Sequence, residues 1–286
     1  MTNSLKAIQI TECPRDAMQG IQNWIATEQK VRYLNALLKC GFDVLDFGSF
    51  VSPKAIPQLK DSAAVLAQLD PSPTQLLAIV ANIRGAAEAC THERIAIIGY
   101  PFSISETFQL RNTNATIAQA LIDLQQISNL CKEHGKKLRV YLSMGFGNPY
   151  GDPWSVALVF EWVSKLSSCA DIAEFALSDT IACATPELAA QLFQTLSYQF
   201  PNILLAAHLH VVQGREEALI KGCMAGGCQH FDTAIGGFGG CPMAKDDLTG
   251  NLATEALLAY VKKAQTKHSI DEVAFEAARQ ISTSIF

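Results

Sequence analysis

Short apolar stretches alternate along this chain with segments in which apolar residues recur at the spacing of a helix. A run of about four to eight apolar residues is typical of a buried strand, so eight such stretches are predicted as strands. They span residues 7–11, 43–47, 76–81, 94–99, 138–143, 172–177, 203–210 and 230–233. The intervening segments predict helices at 27–41, 56–69, 85–90, 154–167, 186–200 and 215–225, and one that ends near Leu130 after a polar loop at 105–108.

Strands that alternate with helices eight times are typical of a (β/α)8 TIM barrel, an α/β fold. The chain has 286 residues, of which 49% are hydrophobic, and this is enough to bury the core of one such barrel. A single catalytic domain over residues 1–286 is therefore predicted. No Gly-x-Gly-x-x-Gly pattern follows the first strand, which argues against a dinucleotide-binding fold.

Composition narrows the class of partner. The net charge is -5 and the basic residues form no cluster with aromatic residues, so neither nucleic acid nor a membrane surface is predicted as a partner. The expected ligand is a small molecule. Residues 1–6 lack an apolar run of signal length, and the nine cysteines form no Cys-x-x-Cys pair, which together predict a cytoplasmic protein with reduced thiols.

Polar residues follow most of the predicted strands. Because the active sites of TIM barrels lie at the carboxyl ends of the strands, these residues are predicted to share one site. They are Glu12, Arg15, Asp16, Asp46, Asn82, Asp179, His208 and His210. Strand ends are also polar where they meet solvent, so several of these residues have an alternative role as helix caps or turn formers, with Asp179 and Thr180 the best candidates.

His208 and His210 end the seventh strand two residues apart. Side chains at this spacing point to the same side of a strand, so the two imidazoles are predicted to face one space. A pair of imidazoles is a common partial ligand set for a divalent metal. The alternative is a pair of hydrogen-bonded structural histidines.

The segment after the eighth strand, residues 236–247, is a glycine-rich loop that carries Cys241. Glycine lets the backbone move and approach a ligand closely, and a single thiol in such a loop is a candidate acid, base or nucleophile, or else an accidental surface cysteine. Further on, Asn251 is predicted either to cap the last barrel helix or to offer an oxygen ligand to a hard cation.

Taken together, these residues resemble the 3-hydroxy-3-methylglutaryl-CoA lyases, a family of DRE-type metal-dependent TIM barrels. The resemblance covers nearly the whole chain. It depends on motifs at 12–16, 49–54, 105–106, 147–150, 178–180, 208–210, 239–242 and 250–255, which occur in the order of the family. The resemblance implies that Asp16, His208, His210 and Asn251 bind one divalent cation, Mg²⁺ or Mn²⁺.

The family cleaves its substrate by a retro-Claisen reaction, and the resemblance implies a role for each catalytic residue. His208 or Asp16 takes the hydroxyl proton, Arg15 offsets charge on the enolate oxygen, and Cys241 returns a proton to the enolate, while Asp46 is the carboxylate of the second strand. The resemblance further implies an acyl-CoA substrate and a homodimer. Substrate-binding positions are expected at Asn82, Ser105, Tyr150, Asp179 and Thr180.

Three positions depart from the family pattern. Asp46 stands where the lyases usually carry a glutamate, Val211 where they have an acid after the second histidine, and Ala176 where they have a serine. These changes leave open a related lyase for a different 3-hydroxyacyl-CoA, or a condensing synthase of the same superfamily. An inactive barrel that binds metal or acyl-CoA is the alternative from another class.

Overall fold

The computed structural model describes residues 7–240 and 249–286. Within them, eight parallel strands close into a barrel, because each strand pairs with its neighbours in the chain and the eighth pairs with the first. The strands are β1 (Gln9–Glu12), β2 (Val44–Ser49), β3 (Gln75–Ile79), β4 (Ile95–Ser103), β5 (Lys137–Ser143), β6 (Glu174–Asp179), β7 (Leu204–Val212) and β8 (His230–Thr233). The predicted (β/α)8 fold is confirmed.

Helices surround the barrel and connect its strands. They are α1 (Pro14–Gln19), α2 (Thr27–Leu37), α3 (Ser62–Leu66), α4 (Ile83–Cys90), α5 (Glu106–Thr113), α6 (Ile117–Glu133), α7 (Val156–Cys169), α8 (Pro186–Gln199), α9 (Glu216–Ala225), α10 (Thr254–Lys263) and α11 (Glu272–Ser282). Most begin at a polar cap, as at Thr185, whose side chain accepts a hydrogen bond from the backbone of Leu188. Among the residues described, every helix is too short or too polar to span a membrane.

Three local predictions were wrong. The predicted helix at 56–69 is a 3-10 turn at Pro57–Leu59 followed by α3, and the polar loop at 105–108 is already the cap and first turn of α5. Asn251 does not open the last helix. It ends a ninth strand, β9 (Thr249–Asn251), which pairs antiparallel with β7. A three-residue strand is too short to produce an alternating pattern in the sequence, so its pairing was not visible there.

Side chains of the barrel strands alternate between two environments. On β5, Leu138, Val140 and Leu142 point outward and are buried against the helices. Tyr141 points inward, where it joins a small apolar layer that includes Leu77 and Ala206. The large outer core accounts for most of the apolar burial, at about 1.5–3 kcal/mol for each fully buried large side chain.

A charged layer of side chains from β5, β6 and β8 is buried inside the barrel. Arg139 is fully buried and donates to Asp232 on β8 (Nη2 to Oδ1, 2.5 Å) and to Thr11 on β1 (Nη1 to Oγ1, 2.9 Å). Its Nε lies 3.3 Å from Glu174 Oε2, and Glu174 also pairs with His230. Opposite charges surround the guanidinium, as a buried cation requires.

Candidate active site

Arg15 and Asp16 lie in the first turn of α1, at the carboxyl mouth of the barrel. Pro14 starts this helix directly after β1, because a proline needs no hydrogen-bond acceptor for its nitrogen at a first helical position. The Arg15 guanidinium donates to both oxygens of Asp46 on β2, the closest contact being Nη2 to Oδ2 at 2.7 Å. Burial alone would lower the pKa of Arg15, but the charges of Asp46 and Asp16 outweigh it and raise this pKa, so the cation is retained.

The two predicted histidines face the same space from β7. The rings of His208 and His210 lie with centroids 5.6 Å apart, and both side chains are buried. Asn251 reaches them because β9 pairs with β7 in the register that places Asn251 opposite His210. Its Nδ2 donates to Asp16 Oδ2 at 2.6 Å. The antiparallel strand therefore brings Asn251 to Asp16.

Asp16, His208 and His210 fit a divalent cation. One ligand atom of each lies within 4.8 Å of the others. Burial would raise the pKa of Asp16, but Arg15 and the two histidines outweigh burial and lower it, so the carboxylate is ionised. Burial lowers the pKa of His210 to about 4, so at neutral pH its imidazole is uncharged and holds a lone pair for a metal.

The second nitrogen of each histidine is already bonded. His210 Nδ1 lies 3.0 Å from the backbone oxygen of Thr180, which can only accept, so Nδ1 carries the proton and Nε2 the lone pair. His208 Nδ1 lies 3.0 Å from Asp232 Oδ2. Partners of this kind orient metal-binding imidazoles in many proteins, which supports the fit of this group to a cation.

A second group, Cys13 with His208 and Asp232, also brings ligand atoms within 4.8 Å of one another. It fits a cation less well. Burial and the charge of Asp232 raise the pKa of Cys13 well above its usual value, so the thiol is protonated. Asp232 is also paired with Arg139, and a metal would have to compete with that cation.

A cavity of about 500 Å³ opens at this mouth. Its polar lining residues are Arg15, Asp16, Gln19, Ser143, Ser178, Thr180, His208 and His210, together with Arg111, Asn112 and Thr113 of α5. Its largely apolar lining residues are Val51, Ala55, Ile56, Ile79, Ala81, Pro101, Phe108 and Tyr141. A cavity lined by both polar and apolar side chains is typical of a site for a small amphiphilic molecule.

The five predicted substrate-binding residues occupy different places. Thr180 lines the cavity, and its hydroxyl accepts from the backbone of Met144. Asn82 caps α4, and Ser105 caps α5 and hydrogen-bonds with Asp152. Asp179 accepts from the backbone nitrogens of residues 183 and 184, so the alternative role of turn former is confirmed for it.

Tyr150 lies beside the cavity rather than in its wall. Its ring stacks on Phe108 with centroids 6.4 Å apart, and the Arg111 guanidinium lies 4.7 Å from its centre. Phe108 and Arg111 both line the cavity, so Tyr150 supports that part of the rim. Its contact with substrate stays a prediction.

The three departures from the family pattern lie in unlike surroundings. Asp46 is fully buried and contacts Arg15. Ala176 is buried in the apolar layer inside the barrel. Val211 packs in the outer core, because its position on β7 faces away from that of His210.

The described part of the glycine-rich loop reaches the rim of the site. Gly239 has a positive φ of 90°, and a Cβ added there would lie 2.8 Å from both Asp16 O and Asn251 Nδ2. Glycine is required at this close approach. Cys241, and the rest of the predicted loop up to residue 247, lie outside the described residues.

Sequence reasoning missed several residues that the structure brings to the site. Gln19 lies one helical turn after Asp16 and donates to its Oδ1 at 2.6 Å. Asp232 contacts His208 Nδ1, and Arg139 in turn donates a hydrogen bond to Asp232. A signal existed for Arg139, which is a charged residue within an otherwise largely apolar strand, whereas the short strand at 230–233 is mostly polar and gave none for Asp232.

Comparisons with known proteins agree with this geometry. Residues 7–282 match the model of a family described as HMGL-like. The chain is 31% identical over 283 residues to a Pseudomonas aeruginosa protein named 3-hydroxy-3-isohexenylglutaryl-CoA/hydroxy-methylglutaryl-CoA lyase, covering 97% of this chain and 92% of the relative. It is 32% identical over 282 residues to a hydroxymethylglutaryl-CoA lyase of Bacillus subtilis, covering 96% and 92%.

A solved structure is also closely similar. An HMG-CoA lyase from Acinetobacter baumannii, in complex with coenzyme A and 3-methylmalate, superposes with a TM-score of 0.90 at 27% identity and covers 100% of this chain and 93% of that one.

Proposed function

The chain belongs to the HMGL-like family, and we propose that it is a carbon–carbon lyase that cleaves 3-hydroxy-3-methylglutaryl-CoA to acetoacetate and acetyl-CoA. The observation that carries the proposal is the meeting of Asp16, His208 and His210 beside Arg15 at the wall of one cavity. In the reaction the tertiary hydroxyl loses its proton, the bond between C2 and C3 breaks, and the enolate of acetyl-CoA takes up a proton.

Asp16, His208, His210 and Asn251 would hold one divalent cation, Mg²⁺ or Mn²⁺. When bound, such an ion supplies a Lewis acid toward the hydroxyl and carboxylate oxygens of the substrate. Oxygen and imidazole ligands without a thiolate suit these two ions.

Asp16 and His208 are the two candidates for the group that takes the hydroxyl proton. One nitrogen of His208 is bonded to Asp232 and the other is left for the cation. Asp16 is ionised, lines the cavity and is held by Arg15 and Gln19. Its carboxylate has the charge and the access that a general base needs, but it is a ligand of the proposed cation just as His208 is, so both residues stay candidates.

Arg15 is placed to offset negative charge on the enolate oxygen. Among the residues described, its Nη2 bonds to Asp46 alone, so the second N–H of that nitrogen can donate to a substrate oxygen. Cys241 would return the proton to the enolate carbon, because it lies two residues after Gly239, which reaches Asp16 and Asn251. We further propose that the enzyme works in the cytoplasm as a homodimer.

The direct test is incubation of the purified protein with 3-hydroxy-3-methylglutaryl-CoA and measurement of acetoacetate and acetyl-CoA. We expect equal amounts of both products, loss of activity with a chelator, and recovery with Mg²⁺ or Mn²⁺. Full turnover in excess chelator would remove the metal from the proposal. Condensation of acetyl-CoA with a keto acid in place of cleavage would favour a synthase, and binding without turnover would favour an inactive barrel.

The apolar wall of the cavity favours a second candidate substrate, a glutaryl-CoA with a longer alkyl group at C3. Ile79, Ala81 and Pro101 line the same cavity as the metal-binding residues, and the Pseudomonas aeruginosa relative is named for an isohexenyl substrate as well as the methyl one. The values of kcat/KM for the methyl and isohexenyl thioesters would decide between them. A ratio strongly in favour of the methyl substrate would reject the longer one.

A further inference from the structure

Asp232 joins a candidate metal ligand to a buried cation. Its Oδ2 lies 3.0 Å from His208 Nδ1, and its Oδ1 accepts from Arg139 Nη2 at 2.5 Å. All three side chains are buried, with Arg139 fully inaccessible and Asp232 2% exposed. The charged guanidinium of Arg139 faces the Asp232 carboxyl directly, and this buried ion pair favours the ionised carboxylate.

Arg139 has little freedom to leave Asp232. Its Nη1 donates to Thr11 Oγ1 at 2.9 Å, its Nε faces Glu174 at 3.3 Å, and its guanidinium lies 5.0 Å from the centre of the Tyr141 ring. A guanidinium has only donors, so whatever faces Nη2 must be an acceptor. Oδ1 of Asp232 therefore has to accept from Arg139, and Oδ2 is the oxygen that contacts His208.

We propose that Asp232, held by Arg139, is a positioning residue that keeps the proton of His208 on Nδ1 and leaves the Nε2 lone pair for the metal. An ionised carboxylate accepts and cannot donate, so the nitrogen that faces it must carry hydrogen. The edge-on contact between His208 and Tyr141, with centroids 5.3 Å apart, restricts the ring that is held in this way. The role rests on the proposed metal centre, but the tautomer exists without the metal.

An amide at position 232 should reverse the tautomer. In Asp232→Asn, the single oxygen must face Arg139, which cannot accept a hydrogen bond. The amide NH₂ then faces His208 Nδ1, which has to accept, and the proton moves to Nε2. The metal-binding lone pair is lost although the shape of the side chain is kept.

Glu174→Gln is the matched control. It makes the same change of carboxylate to amide on the other side of Arg139, where Glu174 contacts Arg139 and His230 but belongs to neither group of candidate metal ligands. If the charged layer had a purely structural role, both substitutions would change the Mn²⁺ affinity and the His208 spectrum in the same way. The positioning role affects His208 only in Asp232→Asn.

The experiment uses the whole protein, labelled with ¹⁵N-histidine and freed of metal with a chelator. Long-range ¹H–¹⁵N spectra report which imidazole nitrogen carries hydrogen, and the His208 signals are assigned by their loss in His208→Gln. We expect Nδ1–H in the wild type and in Glu174→Gln, and Nε2–H in Asp232→Asn. Mn²⁺ affinity, followed by electron paramagnetic resonance, should fall about 10- to 100-fold in Asp232→Asn and stay unchanged in the control.

Either of two results would overturn the role: Nε2–H on His208 in the wild type, or Mn²⁺ bound equally well by folded Asp232→Asn. If Asp232→Asn does not fold, as judged by circular dichroism, the wild-type spectrum alone decides. Neither readout needs turnover, so an inactive protein with the expected tautomers would contradict the proposed lyase reaction and leave the positioning role standing.

Discussion

Glu12, the last residue of β1, makes the stability of this barrel depend on pH. It is completely buried, and its carboxyl accepts from Ile235 N at 2.7 Å and Thr254 Oγ1 at 2.6 Å, with Thr233 Oγ1 further away at 3.3 Å. Burial raises its pKa to about 8, although the hydrogen bonds from Thr254 and Ile235 oppose this rise. The carboxyl is therefore protonated in the folded protein at neutral pH.

The change Glu12→Gln removes this titration and keeps the shape of the side chain. In the wild type the folded protein holds the proton up to about pH 8, whereas the unfolded chain releases it near the ordinary value of 4.5. The folded state binds more protons between these values, so the stability contributed by Glu12 is complete below pH 4.5 and is lost as pH rises to 8. At about 1.4 kcal/mol per pH unit, the loss comes to about 5 kcal/mol.

Chemical unfolding of both proteins between pH 5 and pH 9, in the presence of a chelator, measures this difference. We expect the variant to gain stability relative to the wild type steadily up to about pH 8 and to keep that advantage above it. Comparing the two proteins at each pH cancels the other groups that titrate. If the free energies of unfolding of the two proteins differ by the same amount at every pH, Glu12 is ionised in the folded protein and the reasoning is refuted.

Three further changes test the site. His210→Ala should weaken Mn²⁺ binding strongly with little change in the unfolding midpoint, and unfolding with unchanged Mn²⁺ affinity would instead indicate a structural histidine. Cys241→Ser should bind substrate and Mn²⁺ normally yet lose several orders of magnitude in acetoacetate release, because a hydroxyl is a far weaker acid than a thiol of pKa about 8.5; near-normal release would refute its role. Asp46→Asn removes the closer of the two carboxylates paired with the buried Arg15 and should lower the free energy of unfolding by up to about 3–5 kcal/mol, measured in urea. An unchanged midpoint would contradict the ion pair.

The fold could be predicted from the sequence because the barrel strands are buried on both faces and form continuous apolar runs. The errors lie where local pattern and tertiary structure disagree. Residues 56–69 have helical spacing, but the chain turns at Pro57 and only Ser62–Leu66 is α-helical. β9 depends on β7 for its conformation, and no local pattern predicts a pairing between segments nearly 40 residues apart.

Part of the site could be predicted in the same way. Asp16, His208 and His210 converge because Asp16 lies in the helix after β1 and the two histidines lie on β7, and the barrel collects the carboxyl ends of its strands at one mouth. The two residues that hold His208 in place could not be predicted from the strand ends. Asp232 and Arg139 meet across the barrel from β8 and β5, and this contact depends on barrel closure.

The positions of the departures from the family pattern bear on substrate preference. Val211 packs in the outer core, so the loss of an acid there does not remove a group from the cavity wall. Asp46 is fully buried, bonds to Arg15 and does not line the cavity, so the shorter carboxylate there removes no group from the cavity wall. Ala176 makes the inner layer smaller and less polar. The apolar wall at Ile79, Ala81 and Pro101 is therefore the part of the cavity that should decide which alkyl group at C3 is accepted.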